Sequence, residues 1–331
     1  MIRINRSILS NISFSLLLFT QIILASCYQK ELCYTHPHTK LTNVVFDWRN
    51  APKARPATMS LYTFAKDDGE NMRYEFTDYY GGKANMVLGI YDALCINSDG
   101  RHNYFRNVEK RETFEVYTKE VTVMNEISEM VVSLPRARGA EKERMAFQPD
   151  SVWCDATLSP FILKDDKNTQ NNVQTLTLYP KPIFCTYTVE IHNAKNLRYV
   201  KDMSATLSGL SGGMIAASGI PTEELVTIPF DVHKQKDNTS IKGKLRTFGY
   251  NSKQTKPEHK LVIYVVLADG SRQLYTYDVT DQVRKAPDPR HVHIILDGLP
   301  LPKPADKSTN FSFKPTVKEW QRVEITIDAN V

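Results

Sequence analysis

Beyond its first 26 residues the chain has no apolar run long enough to cross a bilayer. It also lacks a surface of one sign. Lys and Arg number 42 against 37 Asp and Glu, and the resulting +5 is spread along the sequence. That excludes the basic stripe of a nucleic-acid surface, so no nucleic-acid partner is expected. No Gly-x-x-x-x-Gly-Lys or Gly-x-Gly-x-x-Gly is present to cradle phosphates, and no cofactor is expected. Asp47, Asp92, Asp278 and Asp297 fall near strand ends, but none forms a pair at a spacing that fixes two carboxylates together, as glycoside hydrolysis requires. Helical periodicity is missing apart from one short piece near residues 121–130.

What is present begins at the N-terminus. Arg3 and Arg6 precede an apolar run from Ile8 to Leu24, which closes on Leu24-Ala25-Ser26-Cys27. This order reads as a signal peptide, residues 1–26, that is removed. Ser10, Asn11, Ser13, Thr20 and Gln21 interrupt the run and weaken the alternative of a stable spanning anchor. A cysteine directly after Leu-Ala-Ser resembles the bacterial lipobox. The resemblance implies diacylglycerol on the sulfur of Cys27 and an acyl group such as palmitate on its new amino terminus. Each buried methylene adds roughly 0.8 kcal/mol of membrane affinity, so several chains hold a protein firmly. Residues 27–40 then form a lipid-anchored segment.

Four of the five cysteines remain if Cys27 is acylated: Cys33, Cys95, Cys154 and Cys185. They allow three disulfide pairings. Chain position favours Cys33 with Cys95 and Cys154 with Cys185, while free buried thiols stand as an equal alternative.

Short alternating segments fill the rest. Residues 44–48 and 59–64 read as strands, and Met72, Tyr74 and Phe76 alternate with Arg73 and Glu75. Gly81-Gly82 reads as a turn, residues 89–97 and 113–118 as strands, and the charged stretch 136–144 as a solvated linker. In the second half Cys185, Tyr187, Val189 and Ile191 share a face. The unbroken apolar run 261–267 suits a strand buried on both sides, and Asp269-Gly270 then marks a hairpin leading to Tyr275, Tyr277 and Val279. Val292, Ile294 and Leu296 alternate, as do Val323, Ile325 and Ile327. The fold expected is all-β: two sandwich domains, 41–148 and 149–331.

Two motifs carry residues capable of chemistry. Gly209-Leu210-Ser211-Gly212-Gly213 matches the letters of a nucleophile elbow, which needs a sharp strand-to-helix turn with Ser211 exposed. No alternating β/α pattern surrounds it, so a glycine-rich loop is the better reading. Cys33, His36 and His38 place a soft ligand and two imidazoles within six residues, and His291 and His293 share one strand face. Cys33 has no Cys-x-x-Cys partner, and no metal is expected. The 16 tyrosines are scattered through strands, where packing explains them better than a sugar platform does, though some remain available to line a glycan site.

The order of these pieces is similar to that of a known family. A lipobox cysteine is followed by residues 33–38, Val44-Val45-Phe46-Asp47-Trp48, Met59-Ser60-Leu61-Tyr62 and Gly89-Ile90-Tyr91-Asp92-Ala93-Leu94 up to Asn97. Residues 205–213, Asp278-Val279-Thr280, Trp320 and Val323-Glu324-Ile325-Thr326-Ile327 complete it. The chain thereby resembles the fimbrillin-associated anchor and minor-subunit lipoproteins of Bacteroidales. The resemblance implies two tandem transthyretin-like (immunoglobulin-like) β-sandwiches tethered to the outer membrane, with pilin-like subunits as partners. A non-enzymatic anchor or initiator of a fimbria-like, strand-exchange assembly is the function expected. Binding of a surface glycan or host ligand is the alternative.

Overall fold

Alternation in the sequence becomes strands almost throughout the computed structural model, which describes residues 38–67, 69–121, 134–164, 173–253, 257–303 and 319–325. In chain order the first strands are β1 (Thr39–Phe46), β2 (Met59–Ala65), β3 (Met72–Phe76), β4 (Gly81–Val87), β5 (Gly89–Asn97), β6 (Tyr104–Arg106) and β7 (Glu115–Tyr117). Next come β8 (Arg144–Met145), β9 (Trp153–Ala156), β10 (Phe161–Leu163), β11 (Gln174–Leu178), β12 (Lys181–Pro182), β13 (Cys185–Ala194) and β14 (Val200–Ser211). The series closes with β15 (Gly213–Ile215), β16 (Ile220–Pro221), β17 (Leu225–Lys234), β18 (Ile241–Thr247), β19 (Lys260–Leu267), β20 (Arg272–Asp278), a short helix α1 (Thr280–Arg284), β21 (His291–Leu299) and β22 (Trp320–Ile325).

The first sandwich stacks β11-β1-β4 on β12-β9-β5-β2-β3, with β10 on the start of β5. Val44 and Phe46 from one sheet meet Met59, Leu61, Ala93 and Cys95 from the other. β5 is buried from Tyr91 to Asn97 without alternation, because its opposite face is covered too. There Tyr62, Phe64, Leu94 and Ile96 pack under Phe114, Val116, Met214 and Ala216. Val116 and Met214 belong to a four-stranded sheet, β16-β15-β7-β6, assembled from both halves of the sequence, and Phe114 and Ala216 flank it. β9, β10 and β11 pair with β5 and β1, so the first sandwich takes strands from beyond the expected division at 148.

The second sandwich lays β21-β13-β18 over β17-β14-β19-β20-β22, joined where β17 pairs with β18. Its core interleaves Tyr187, Val189 and Ile191 with Leu207, Ile263, Val265, Tyr275 and Ile294. Each such side chain contributes roughly 1.5–3 kcal/mol by leaving water. The Asp269-Gly270 hairpin forms as expected, with Gly270 at φ +81 and Asp269 Oδ1 accepting from the Ser271 amide at 2.8 Å. Apart from His38 and Thr39, every described residue belongs to one compact unit starting at Lys40.

Two expectations are corrected. Gly81 and Gly82 open strand β4 rather than forming a turn of their own; Gly81 has φ +105 and passes so close to Val44 O that no side chain fits. The stretch 136–144 is no solvated linker. Leu134, Ala137 and Ala140 seal the outer face of the sheet against Val262, Tyr264 and Leu274, which is why 261–267 carries no polar position. Glu143, within the same strap, is half-buried and raised in pKa by desolvation, yet accepts from Thr227 Oγ1 at 2.7 Å. The helical piece expected at 121–130 lies, apart from Val121, outside the described residues.

Candidate assembly edges

The second sandwich ends laterally in two edge strands, β22 and β21, and they differ. β22 runs parallel to β20, in the register Arg272↔Trp320 to Tyr277↔Ile325. Val323 and Ile325 are only partly buried against the core. On the other face Trp320 meets Tyr264 edge-on at 5.4 Å, Arg322 Nη2 donates to Arg136 O at 3.3 Å and Arg138 pairs with Glu324 at 3.2 Å. Most of β22 is exposed or half-buried. It is an edge strand that closes the sheet, where the alternation of Val323 and Ile325 by itself reads as an ordinary internal strand; Ile327 lies outside the described residues.

β21 alternates cleanly: Val292, Ile294 and Leu296 point inward while His291, His293, Ile295 and Asp297 stay exposed. It pairs in parallel with β13. Its open side is occupied by Gln282 of α1, whose Oε1 accepts from the Ile295 amide at 2.8 Å and whose Nε2 donates to Ile295 O at 2.9 Å. On the outer face, Glu190 lies 2.8 Å from Lys242 Nζ, 3.4 Å from His293 Nε2 and 3.6 Å from His192 Nε2. The Lys242 hydrogen bond, first among these, holds its carboxyl below the usual range.

Ser211 is not an elbow nucleophile. It ends β14, buried, with its Oγ 2.8 Å from Gly213 O and 2.7 Å from Thr222 O. The glycines serve a crossing in which the chain leaves the second sandwich for the four-stranded sheet, where Gly213 pairs with Tyr117 and has Val116 O within 2.9 Å of any added Cβ. A chain of charges braces the crossing: Glu115 to Arg106 at 2.7 Å, Arg106 to Glu224 at 3.3 Å, Glu224 to Arg144 at 2.6 Å.

Cys95, Cys154 and Cys185 are free buried thiols, so the Cys154–Cys185 bond is not formed. Their strands place them in separate packing environments, Cys95 facing the first core, Cys154 the four-stranded sheet and Cys185 the second core. Burial pushes the Cys185 thiol up to about 11. Cys27, Cys33 and His36 lie outside the described residues, and no group of three metal-binding side chains occurs among the described ones. Asp92 pairs with Lys66 at 2.5 Å, Asp278 with Lys260 at 2.7 Å, Asp297 accepts from Asn193 and Asp47 from Arg49.

Six tyrosines are buried in the cores, Tyr62, Tyr91, Tyr187, Tyr264, Tyr275 and Tyr277. The other described ones are not. Arg49 stacks 4.7 Å over Tyr179, Arg55 lies 5.3 Å over Tyr79, and Trp48 holds Tyr79 through Nε1 to its carbonyl at 2.7 Å. Sequence reasoning singled out neither this cluster nor Gln282, and only the two sheets bring these residues together.

Residues 26–231, from just before Cys27 into β17, match the family described as a domain of unknown function, DUF5119. The chain belongs to DUF5119. A search of the curated proteins finds no match for this DUF5119 chain. Among solved structures it is similar to a candidate adhesin of Bacteroides ovatus, with 19% identity, a TM-score of 0.60, and 84% of this chain and 99% of that one covered. It is also similar to the fimbrial anchor protein Mfa2 of Porphyromonas gingivalis, with 12% identity, a TM-score of 0.48, and 78% and 90% covered. The first of these shows that the DUF5119 chain shares its all-β fold.

Proposed function

We propose that this chain is a non-enzymatic outer-membrane lipoprotein, held by lipid on Cys27, that anchors or initiates a fimbria-like assembly through strand exchange. The observation that carries the reading is β22. It is an edge strand, parallel to its neighbour, with its two core side chains only partly buried and its outer face clasped by a few surface contacts. Its departure would bare the β20 edge from Arg272 to Tyr277, which a pilin-like subunit's strand can occupy with main-chain hydrogen bonds and alternate side chains. The fold shared with the Bacteroides ovatus candidate adhesin is consistent with a place in the envelope.

A staple tests it. Thr276 and Glu324 are register partners, so Thr276→Cys with Glu324→Cys places two thiols on adjacent strands about 4.8 Å apart. Oxidation should abolish fimbrial assembly on cells and reduction should restore it; assembly unchanged by an oxidised staple refutes the exchange at β22. Cys27→Ser should release the protein from the membrane fraction and end its labelling with palmitate. The glycan alternative rests on the arginine–aromatic cluster, where Tyr80 is 58% and Tyr179 37% exposed. A glycan array read at concentrations that reveal millimolar binding tests it, and Tyr179→Ala should remove any hit.

A further inference from the structure

Gln282 does something unusual for a side chain on a five-residue helix: its amide makes both main-chain hydrogen bonds that a neighbouring strand would make to Ile295. An edge strand with such groups open is a template for pairing, and proteins block these edges. We propose that β21 is an interaction edge for a second copy of this chain, pairing antiparallel about Ile295 on a two-fold axis, with Gln282 as the latch that closes it.

The register follows from strand geometry. Alternate residues direct their N–H and C=O to the same side, so His293 and Asp297 present theirs on the open side that Ile295 does. Antiparallel pairing centred on Ile295 sets His293 opposite Asp297 of the copy, and Asp297 opposite its His293. All three side chains stand exposed on the outer face, Ile295 at 47%. The centre of the interface is therefore an isoleucine pair flanked on both sides by an imidazole and a carboxylate, opposite-charge partners when the imidazole is protonated. Cross-strand pairs of this kind stabilise a ladder, and a two-fold arrangement uses the same patch on both copies. Gly298, at φ +79, departs from extended backbone just past Asp297. The pairing closes on itself and yields a dimer, not a fibre. It uses the edge opposite β22, so it stands whether or not β22 exchanges.

The test starts with Gln282→Ala in the purified protein, followed by sedimentation velocity and amide exchange. Releasing the latch should tighten self-association about tenfold, with the Ile295 amide protected more strongly as concentration rises. Adding Ile295→Lys should return the variant to a monomer, because a charge on the central edge position blocks pairing. A charge exchange tests the register without touching Gln282. His293→Asp alone and Asp297→His alone each set like residues opposite one another and should self-associate less than the parent. Their mixture restores both complementary pairs and should form the heterodimer. A monomeric, folded Gln282→Ala protein overturns the proposal, as does dimerisation that survives Ile295→Lys. Equal association of the mixed and separate charge variants overturns the two-fold register.

Discussion

His259 is fully buried beside the β14 crossing, with Nδ1 3.3 Å from Ser208 O, its ring edge-on to Tyr250 at 5.0 Å, and no partner at Nε2 among the described residues. Burial, reinforced by the Arg284 charge, lowers its pKa to about 4, against the opposing pull of the Ser208 carbonyl and Asp278. Unfolded, the same imidazole takes up its proton near 6.5. The folded pKa is the depressed one, so the unfolded chain binds more protons between the two values. His259 therefore contributes stability that is intact above pH 6.5 and is lost as pH falls toward 4. At 1.36 kcal/mol per unit the full effect is roughly 3 kcal/mol, of which about 2 to 3 appears between pH 6.5 and 4.5. The comparison is between wild type and His259→Gln, whose amide does not titrate. Urea unfolding at pH 7 and pH 4.5 should show the wild type losing about 2 kcal/mol more than the variant, other titrating groups being common to both. Equal losses in the two proteins would refute the assignment of a neutral, desolvated imidazole.

Gly213→Ala should destabilise the protein by about 1–3 kcal/mol, since the new methyl meets the Glu115 carboxylate and Val116 O with no room to move; an unchanged thermal melt would show the crossing to be looser than described. Ser211→Ala should cost about 1–2 kcal/mol by removing the buried hydroxyl that reaches Thr222 O at 2.7 Å and Gly213 O at 2.8 Å, measured by denaturant titration. Cys95, Cys154 and Cys185 should react with a thiol reagent only after unfolding, because burial holds each of them in the unreactive protonated form. A Cys154–Cys185 disulfide found by mass spectrometry of the non-reduced protein would contradict the structure.

Strands marked by alternation or by flanking turn residues were legible in the sequence. β5 has the expected bounds of 89–97, β13 alternates from Cys185 as read, and the Asp269-Gly270 hairpin follows from turn chemistry alone. Misreadings fell where tertiary context decides. Ala137 and Ala140 look like spacers among charges, yet small residues suit a strap lying flat on a sheet. The Gly209–Gly213 letters name a turn but not its destination, which depends on β7 nearly a hundred residues earlier. Gln282 has no sequence signature at all, because a side-chain amide mimics a strand only where the backbone beside it is open.

The four-stranded sheet also sets an order of events for a chain that is made from its N-terminus. β6 and β7 are complete by Tyr117, yet their partner β15 begins at Gly213. Until that later stretch emerges, Tyr62, Phe64, Leu94 and Ile96 keep an uncovered apolar face, and the first sandwich is a half-closed intermediate. Closing a loop of that length is slow relative to local hairpins. The exposed face is thus a target for a holding chaperone during synthesis, and the arrival of the glycine crossing marks the moment at which the chain no longer needs one.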